Sequence, residues 1–286
     1  MLSAIYNAAI KNIFRSKAFW LVIAVMVIFV GYQIATVTHQ IYNMELGQVI
    51  NQYHPMFVFE YQSYLQKCNG LVANLLQYPV PILTVVATAL ILNRDYHDKF
   101  FEIEKSTGLS AWKYLTARLL AVISLCLGVT AVLCFVYFHG QVVPMLDSFE
   151  MTPWAYVCDS TVRLTRQILA LVTPCIVFYT GLTYFVGTLC QSSVGAAVVS
   201  LALAIGSYVY DLFYIYNNGI FMEYLRPSCP LKLMYYMYYY DSEWFAWMID
   251  TFDTSLSKAF LCCAILIGCA VLCSVLSCLR IKKRIE

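Results

Sequence analysis

Residues 119–138 read LLAVISLCLGVTAVLCFVYF, a run of apolar and small residues without a single charge. A helix of this length measures about 30 Å, the thickness of the hydrocarbon core of a bilayer. Comparable blocks occur elsewhere in the chain, and only Asp211, near one end of the fifth block, adds a charge to any of them. The blocks are Ala18–Val37, Leu71–Leu92, Leu119–Phe138, Gln167–Leu189, Val194–Ile215 and Ala259–Leu279. The sequence therefore predicts an all-α polytopic membrane protein with six transmembrane helices.

The composition supports this architecture along the whole chain. Of the 286 residues, 61% are hydrophobic and only 12% are charged, and the mean hydropathy is +0.70. An average soluble domain is about 45–50% apolar and about 25% charged. We therefore treat residues 1–286 as a single transmembrane domain. The formal net charge of +2 also argues against a nucleic acid as a partner.

Basic residues are divided unequally between the two sides that six spans create. The side with both termini and the loop between the second and third blocks carries 12 of the 18 Lys and Arg residues and a net charge of +7, against −5 on the opposite side. Because basic segments stay in the cytoplasm, we predict a multi-pass protein of the cell membrane with both termini cytoplasmic. A five-span alternative would place the tail Arg280–Arg284 outside, and the apolar length of the last block argues against it.

An amphipathic helix is predicted ahead of the first span. Apolar residues recur at steps of three and four from Leu2 to Phe14. A continuous helix running on through the first block would be about 55 Å long, far more than a bilayer needs. We therefore predict an interfacial helix over residues 1–17 on the cytoplasmic membrane surface, with a bend near Arg15–Lys17.

The predicted outer side carries weaker signals. The external loop 216–258 is rich in Tyr and Trp, which favour the boundary between membrane and water. This composition favours an interfacial aromatic belt over a ligand site. Asp211 falls near the outer boundary of its span, which favours a solvated helix end over a proton or ion relay. The external cysteines are odd in number and form no CxxC pair, so they leave one disulfide open without indicating a zinc site. They are Cys68, Cys158 and Cys229.

The predicted cytoplasmic loop 93–118 is the most informative segment outside the spans. Asp95 suits the N-cap of a short helix, and Gly108 suits its end. The resulting helix, Tyr96–Thr107, would be about 18 Å long and is too charged to cross a membrane. Its apolar ridge packs either on another protein or on the protein's own spans and the lipid interface. The ridge consists of Tyr96, Phe100, Phe101 and Ile103.

Residues for catalysis or metal binding are not grouped in the sequence. The four histidines are scattered, and neither HExxH nor GxSxG occurs. Glu102 and Glu104 do not form a metal site with His97, because residues two apart on a helix face different directions. The ATP-binding motif GxxxxGK[ST] is absent too, so any ATP has to bind another chain. We predict a protein that is not an enzyme, with no catalytic residues, no metal site and no cofactor of its own.

A series of short motifs marks the loop and the entry to the third span. They are Arg94-Asp95-Tyr96, Phe101-Glu102-Ile103, Ser106-Thr107, Ala111-Trp112-Lys113-Tyr114-Leu115 and Arg118-Leu119-Leu120. Together with six spans and a basic helix before the first, these motifs resemble the permease subunit of type-2 ABC exporters. The resemblance covers the whole chain as architecture but only this loop as sequence. Gly108 stands where members of that family often have Pro after the Ser-Thr turn.

The resemblance implies transport driven by a separate ATP-binding subunit, which would hold the ATP and Mg²⁺. It also implies a second permease copy or a related permease, in a homodimer or a heterodimer, and re-entrant short helices over Glu223–Asp253 in the external loop. The coupling helix of loop 93–118 would dock into a groove of the ATP-binding subunit. The residues expected to make that contact are Tyr96, Phe100, Phe101, Ile103 and Glu104.

The substrate is not encoded in any recognisable motif. Because the spans contain almost no charge, an amphipathic or hydrophobic cargo such as a lipid, a peptide or a drug-like molecule is favoured over a small ion. The alternative function is a membrane-embedded sensor or assembly scaffold that docks a cytoplasmic protein without transport. An intramembrane enzyme is disfavoured because the spans lack polar catalytic residues.

Overall fold

The computed structural model describes residues 2–45, 79–97, 110–148, 172–217 and 256–285, and these ranges are helical apart from short turns. The helices are α1 (Leu2–Phe14), α2 (Lys17–Glu45), α3 (Pro79–His97), α4 (Ala111–Ser148), α5 (Thr173–Cys190), α6 (Ser193–Asn217) and α7 (Leu256–Ile285). No strand occurs in the described ranges. The predicted all-α architecture is therefore confirmed for this part of the chain.

Each predicted span coincides with one of the helices α2 to α7, although the second and fourth blocks begin outside the described residues. Three described segments are long and apolar enough to cross a membrane: Ala111–Val136, Thr173–Cys190 and Cys263–Lys283. The bent pair α1–α2 adds a fourth when it is taken as one span. The apolar parts of α3 and α6, Pro79–Asn93 and Ser193–Gly206, are shorter. Six complete spans thus stay a prediction. The ends of the predicted external loop 216–258 belong to α6 and α7, and its predicted short helices over Glu223–Asp253 lie outside the described residues, as do Cys68, Cys158 and Cys229.

The first two helices meet at a sharp elbow. Their axes differ by 68°, and the break lies at Arg15 and Ser16, where the sequence predicts a bend. The indole N–H of Trp20 donates a 2.7 Å hydrogen bond to the carbonyl of Phe14, the last residue of α1. The rings of Phe14, Phe19 and Trp20 pack on one another with centroids 5.7–6.0 Å apart. This aromatic cluster fixes the angle between the two helices.

The apolar stripe of α1 packs partly on the protein itself. Ala9 and Ile13 are completely buried, and the hydroxyl groups of Tyr6 and Ser124 lie 2.7 Å apart, which joins α1 to α4. Leu2 and Phe14, at the two ends of the stripe, are exposed. Helix α4 therefore provides much of the apolar contact that the sequence alone assigns to the membrane surface. The orientation of α1 along that surface stays a prediction.

Helix α5 lies at the centre of the described bundle. It contacts α3, α4, α6 and α7, and 61% of its apolar segment is buried, compared with 33% for α4 and 22% for α7. Gly181 allows the backbone of α7 to approach closely at Ala270. At its end, Gln191 adopts a left-handed conformation with φ of 53°, and its N–H donates to the carbonyl of Gly187. This turn starts α6 at Ser193, and so short a connection makes the two helices adjacent.

Candidate functional site

The predicted docking residues fall at the edge of the described structure. Tyr96 lies in the last turn of α3, which runs to His97. The other four residues of the predicted contact, Phe100, Phe101, Ile103 and Glu104, lie outside the described residues. The structure does, however, describe both ends of the predicted loop 93–118: residues 93–97 belong to α3 and residues 111–118 belong to α4, so the segment between the two helices is shorter than predicted.

The N-cap role predicted for Asp95 is wrong. Helix α3 continues through this residue to His97, so Asp95 occupies a helical position and not the start of a new helix. Its side chain is completely buried. The N-cap prediction uses only local spacing, and local spacing cannot show that an acidic side chain has a partner on another helix. Asp95 has such partners on both α4 and α5.

The carboxylate of Asp95 is the centre of a buried polar cluster. Its Oδ1 lies 2.9 Å from Nη2 of Arg118 and accepts a 2.6 Å hydrogen bond from the hydroxyl of Tyr114, both on α4. Its Oδ2 accepts a 3.2 Å hydrogen bond from the hydroxyl of Tyr184 on α5. We refer to these four residues, Asp95, Tyr114, Arg118 and Tyr184, as the Asp95 cluster. The cluster joins three helices through one carboxylate.

Arg118 makes further contacts within its own helix. Its Nη2 donates a 3.0 Å hydrogen bond to the hydroxyl of Tyr114, one turn earlier in α4. The guanidinium carbon lies 5.0 Å from the centre of the Tyr114 ring, a distance at which a cation is attracted to the face of an aromatic ring. The residue itself is only 2% exposed. Tyr114 therefore orients the guanidinium group toward Asp95 through both its hydroxyl group and its ring.

The physical character of the cluster is that of a paired charge removed from water. A buried carboxylate or guanidinium is costly unless an opposite charge and hydrogen bonds compensate it. Here one charge of each sign and two tyrosine hydroxyls meet within hydrogen-bonding distance. Such an arrangement is suited to fixing the relative positions of helices. In the described ranges, no group of three His, Cys, Asp or Glu side chains is placed to hold a metal ion.

Two further polar contacts lie at the same end of the bundle. Nη1 of Arg280 on α7 donates a 3.2 Å hydrogen bond to the carbonyl of Thr188, near the end of α5. The hydroxyl of Ser193, at the start of α6, donates a 3.1 Å hydrogen bond to Oδ1 of Asn93 on α3. The ends of α3, α5 and α7 and the beginnings of α4 and α6 are thus connected around the Asp95 cluster. This end carries the loop with the predicted docking residues.

An open groove of about 360 Å³ runs between α3 and α6 beside this end. Its walls are almost entirely apolar, with Asn93 and Ser193 providing the polar groups. A groove with apolar walls and a small polar region is suited to an amphipathic molecule. The apolar lining residues include Val86, Leu90, Val194, Ala197 and Leu201.

Sequence reasoning did not identify the Asp95 cluster, although one signal for it was present. Asp95 follows the apolar block Leu71–Leu92 by three residues, and Arg118 directly precedes the next block, Leu119–Phe138, so opposite charges stand at corresponding ends of two consecutive blocks. If two antiparallel helices are adjacent, charges at such corresponding ends come close together. Assigning Asp95 to a local N-cap, and Arg118 only to the basic residues of the loop, missed this pairing. The aromatic partner Tyr184 carries no comparable signal, because many tyrosines occur in this sequence.

The sequence was compared with protein families and with curated proteins. The chain matches the sequence model of a family described as ABC-2 family transporter protein, and the match extends over residues 3–281. This range includes helices α1 to α7 except for the first residue of α1 and the last turn of α7. No curated protein sequence matches the chain.

Proposed function

The chain belongs to the ABC-2 family of transporter proteins and is a permease component of an ABC transporter, and we propose that it exports an amphipathic or hydrophobic substrate. A lipid, a peptide or a drug-like molecule is the expected cargo. The apolar groove between α3 and α6, with its polar region at Asn93 and Ser193, supports this substrate class.

The energy for export is proposed to come from a separate ATP-binding subunit that holds ATP and Mg²⁺. Its docking site is the loop between α3 and α4, with contacts from Tyr96, Phe100, Phe101, Ile103 and Glu104. Two adjacent aromatic side chains on one helix point in different directions, so a single rotation of the helix cannot bury both in the membrane surface. One of the two is then available to a groove on the partner.

One observation carries this proposal beyond the family membership. The two ends of the docking loop are joined by the buried contact between Asp95 and Arg118, 2.9 Å apart, and by the hydrogen bond from Tyr114 to Asp95. A loop with fixed ends presents its residues at a defined position, which lowers the entropic cost of binding a partner. A loop that merely connects two spans needs no such buried contact at its ends.

The proposed assembly is a pair of permeases with the ATP-binding subunits on the cytoplasmic side of the cell membrane. The pair is either a homodimer or a heterodimer with a related permease. Both chain termini are proposed to be cytoplasmic because of the basic residues on that side. Labelling of single cysteines in intact cells tests this topology: positions 105 and 283 should be protected from an impermeant reagent, and positions 60, 150 and 241 should react.

The docking proposal is tested by co-purification from mild detergent. Phe100→Ala, Phe101→Ala and Ile103→Ala are compared in turn for recovery of the ATP-binding subunit. The variant that truncates the buried anchor should lose about 2 kcal/mol of binding energy, or roughly 30-fold in affinity. Glu102→Ala and Glu104→Ala should each lose about 1 kcal/mol or less, since rim charges are screened by water. Full recovery with all three apolar variants would exclude this loop as the docking element.

The same experiment separates transport from the alternative function as a sensor or scaffold. A transporter subunit should bring an ATPase with it, and the permease should stimulate ATP hydrolysis after reconstitution into membranes. A scaffold would bring a different cytoplasmic protein through the same loop. Recovery of such a protein without any ATPase would therefore favour the scaffold.

A further inference from the structure

We propose that Asp95, Arg118 and Tyr184 are positioning residues that transmit the movement of the docking loop to α5. The inference rests on the proposed function, because the movement is the one that an ATP-binding subunit imposes on the loop. It adds a route by which this movement reaches the centre of the bundle. The hydrogen bond from Tyr184 to Oδ2 of Asp95 is the step that crosses from the loop ends to α5.

The geometry gives each of the three residues a separate task. Asp95 belongs to the end of α3, and Arg118 belongs to the first two turns of α4, so their contact makes the two ends of the loop move together. Tyr184 lies on α5, and its hydroxyl reaches the oxygen of Asp95 that Arg118 does not contact in the 2.9 Å pair. In these contacts, one oxygen of the Asp95 carboxylate connects α3 to α4, and the other connects α3 to α5.

Energetic considerations favour a positional role over a purely stabilising one. A buried ion pair can often be replaced by apolar residues of similar volume without loss of stability, because removing two charges from water offsets much of their attraction. Apolar contacts of that kind tolerate small shifts between helices. Hydrogen bonds to a carboxylate require short distances and defined angles, so they hold helices in one discrete arrangement. An ion pair with two tyrosines, completely buried, is suited to transmitting a displacement without slippage.

From α5 the movement has two structural continuations. Helix α6 follows α5 after a turn of two residues, Gln191 and Ser192, so the end of α5 and the start of α6 move as one unit. Helix α7 is connected to the end of α5 by the hydrogen bond from Arg280 to the carbonyl of Thr188. A displacement of α5 therefore reaches both α6 and α7. Among these, α6 forms one side of the apolar groove.

The test uses the complete complex of permease and ATP-binding subunit in reconstituted membranes. Hydrogen exchange of the α5–α6 turn is measured with and without a non-hydrolysable ATP analogue, together with permease-dependent stimulation of ATP hydrolysis. The test variant is Tyr184→Phe, which removes the hydroxyl and keeps the ring. The matched control is Tyr6→Phe, which removes a hydroxyl contact to α4 away from the Asp95 cluster.

We expect the nucleotide to change exchange at the turn in the wild type and in Tyr6→Phe, but not in Tyr184→Phe. The stimulation of ATP hydrolysis should fall by about 2- to 30-fold in Tyr184→Phe, the range for removing one member of a coupling network. Recovery of the ATP-binding subunit should be unchanged. A residue that only stabilised the fold would lower both coupling and recovery, or neither.

A second variant replaces the ion pair by apolar residues, Asp95→Leu with Arg118→Met. It should fold and retain the ATP-binding subunit, and it should lose the response of the α5–α6 turn to the nucleotide. If Tyr184→Phe and this double variant both respond as the wild type does, the inference is wrong while the proposed function stands. If no ATP-binding subunit is recovered with the wild type, the proposed function and this inference both fail.

Discussion

The Asp95 cluster and the interface between α5 and α7 hold the same central helix by different means. In the cluster, a carboxylate on α3 accepts hydrogen bonds from Tyr114 and Tyr184 and pairs with a guanidinium group. At the α5–α7 interface, α5 presents Gly181 to the backbone of α7 at Ala270. The first contact depends on charge and direction, and the second depends on shape. The bundle thus combines a polar connection near the docking loop with close backbone packing of α5 at a greater distance from that loop.

The difference shows how polar side chains are treated within the bundle. The buried threonines Thr84, Thr88 and Thr180 donate to carbonyl groups one turn earlier in their own helices, so they need no partner across an interface. Asp95 and Arg118 cannot be satisfied in that way, because a charge needs an opposite charge when it leaves water. Polar contacts between helices therefore indicate which helices have to keep fixed positions relative to each other. Substitutions in the two regions should separate these kinds of contact by the size of their effects.

Asp95→Leu should have the largest effect on stability. It leaves the guanidinium group of Arg118 buried without its carboxylate, and breaking a buried pair in this way costs about 3–5 kcal/mol. The loss is measured by unfolding the purified permease in a detergent titration. Adding Arg118→Met should recover most of it, because the double variant contains no uncompensated charge. A double variant less stable than Asp95→Leu alone would show that the buried charges do not compensate each other.

Gly181→Ala should destabilise the apolar interface by about 1–3 kcal/mol, the usual cost of overpacking. A Cβ atom at this position would lie 3.0 Å from the carbonyl oxygen and 3.2 Å from the Cα atom of Ala270, and backbone atoms cannot move aside without separating the helices. Gly268→Ala on α7 is the control, since nothing lies within 4 Å of its Cβ position. The control should be neutral or slightly stabilising. Equal effects of the two substitutions in the same unfolding titration would argue against close packing at Gly181.

Tyr184→Phe should cost about 1.5 kcal/mol, because the hydroxyl donates to a charged acceptor in a buried site. Tyr6→Phe, which removes a contact between two hydroxyl groups on the more exposed side of α4, should cost about 0.5–1 kcal/mol. Thermal denaturation of the two purified variants side by side measures the difference. A larger loss for Tyr6→Phe would mean that the polar cluster is less important for stability than the contact between α1 and α4.

Gly187→Ala should have a smaller effect than Gly181→Ala, about 0.5–1 kcal/mol. The added Cβ would collide with the side chain of Leu92 on α3, but here the obstacle is a side chain and not backbone, so a rotamer change of Leu92 would relieve the collision. Comparison with Gly181→Ala in the same assay therefore separates a side-chain obstacle from a backbone obstacle. A loss as large as that of Gly181→Ala would show that Leu92 has no room to move.

The positions of the helices could be predicted from the sequence because their signals are long. An apolar run such as Leu119–Phe138 depends on some twenty residues at once, and each of the six runs overlaps a helix in the described ranges. The bend at Arg15 and Ser16 and the short turn after Cys190 were also predictable, because they follow from helix length and from the few residues that can form a connection. These features depend on properties of contiguous segments.

The site could be predicted only in part because its contacts are not contiguous. Tyr184 is 89 residues from Asp95 in the chain, and no periodic pattern links the two positions. The local pattern around Asp95 even pointed to a wrong role, since an acidic residue followed by a charged, helix-forming segment has the features of an N-cap. Which helices are neighbours has to be known before such pairs can be recognised. The docking residues beyond His97 lie outside the described residues, so their contact with a partner stays a prediction.

The order of the Asp95 cluster along the chain has a consequence for biosynthesis. Tyr114 follows Asp95 by 19 residues, whereas Tyr184 follows it by 89. At a translation rate of about 5–20 residues per second, the hairpin of α3 and α4 is complete several seconds before Tyr184 leaves the ribosome. During that interval Asp95 and Arg118 are both available to each other while Tyr184 is not, so the contact between α3 and α4 can form before the contact to α5.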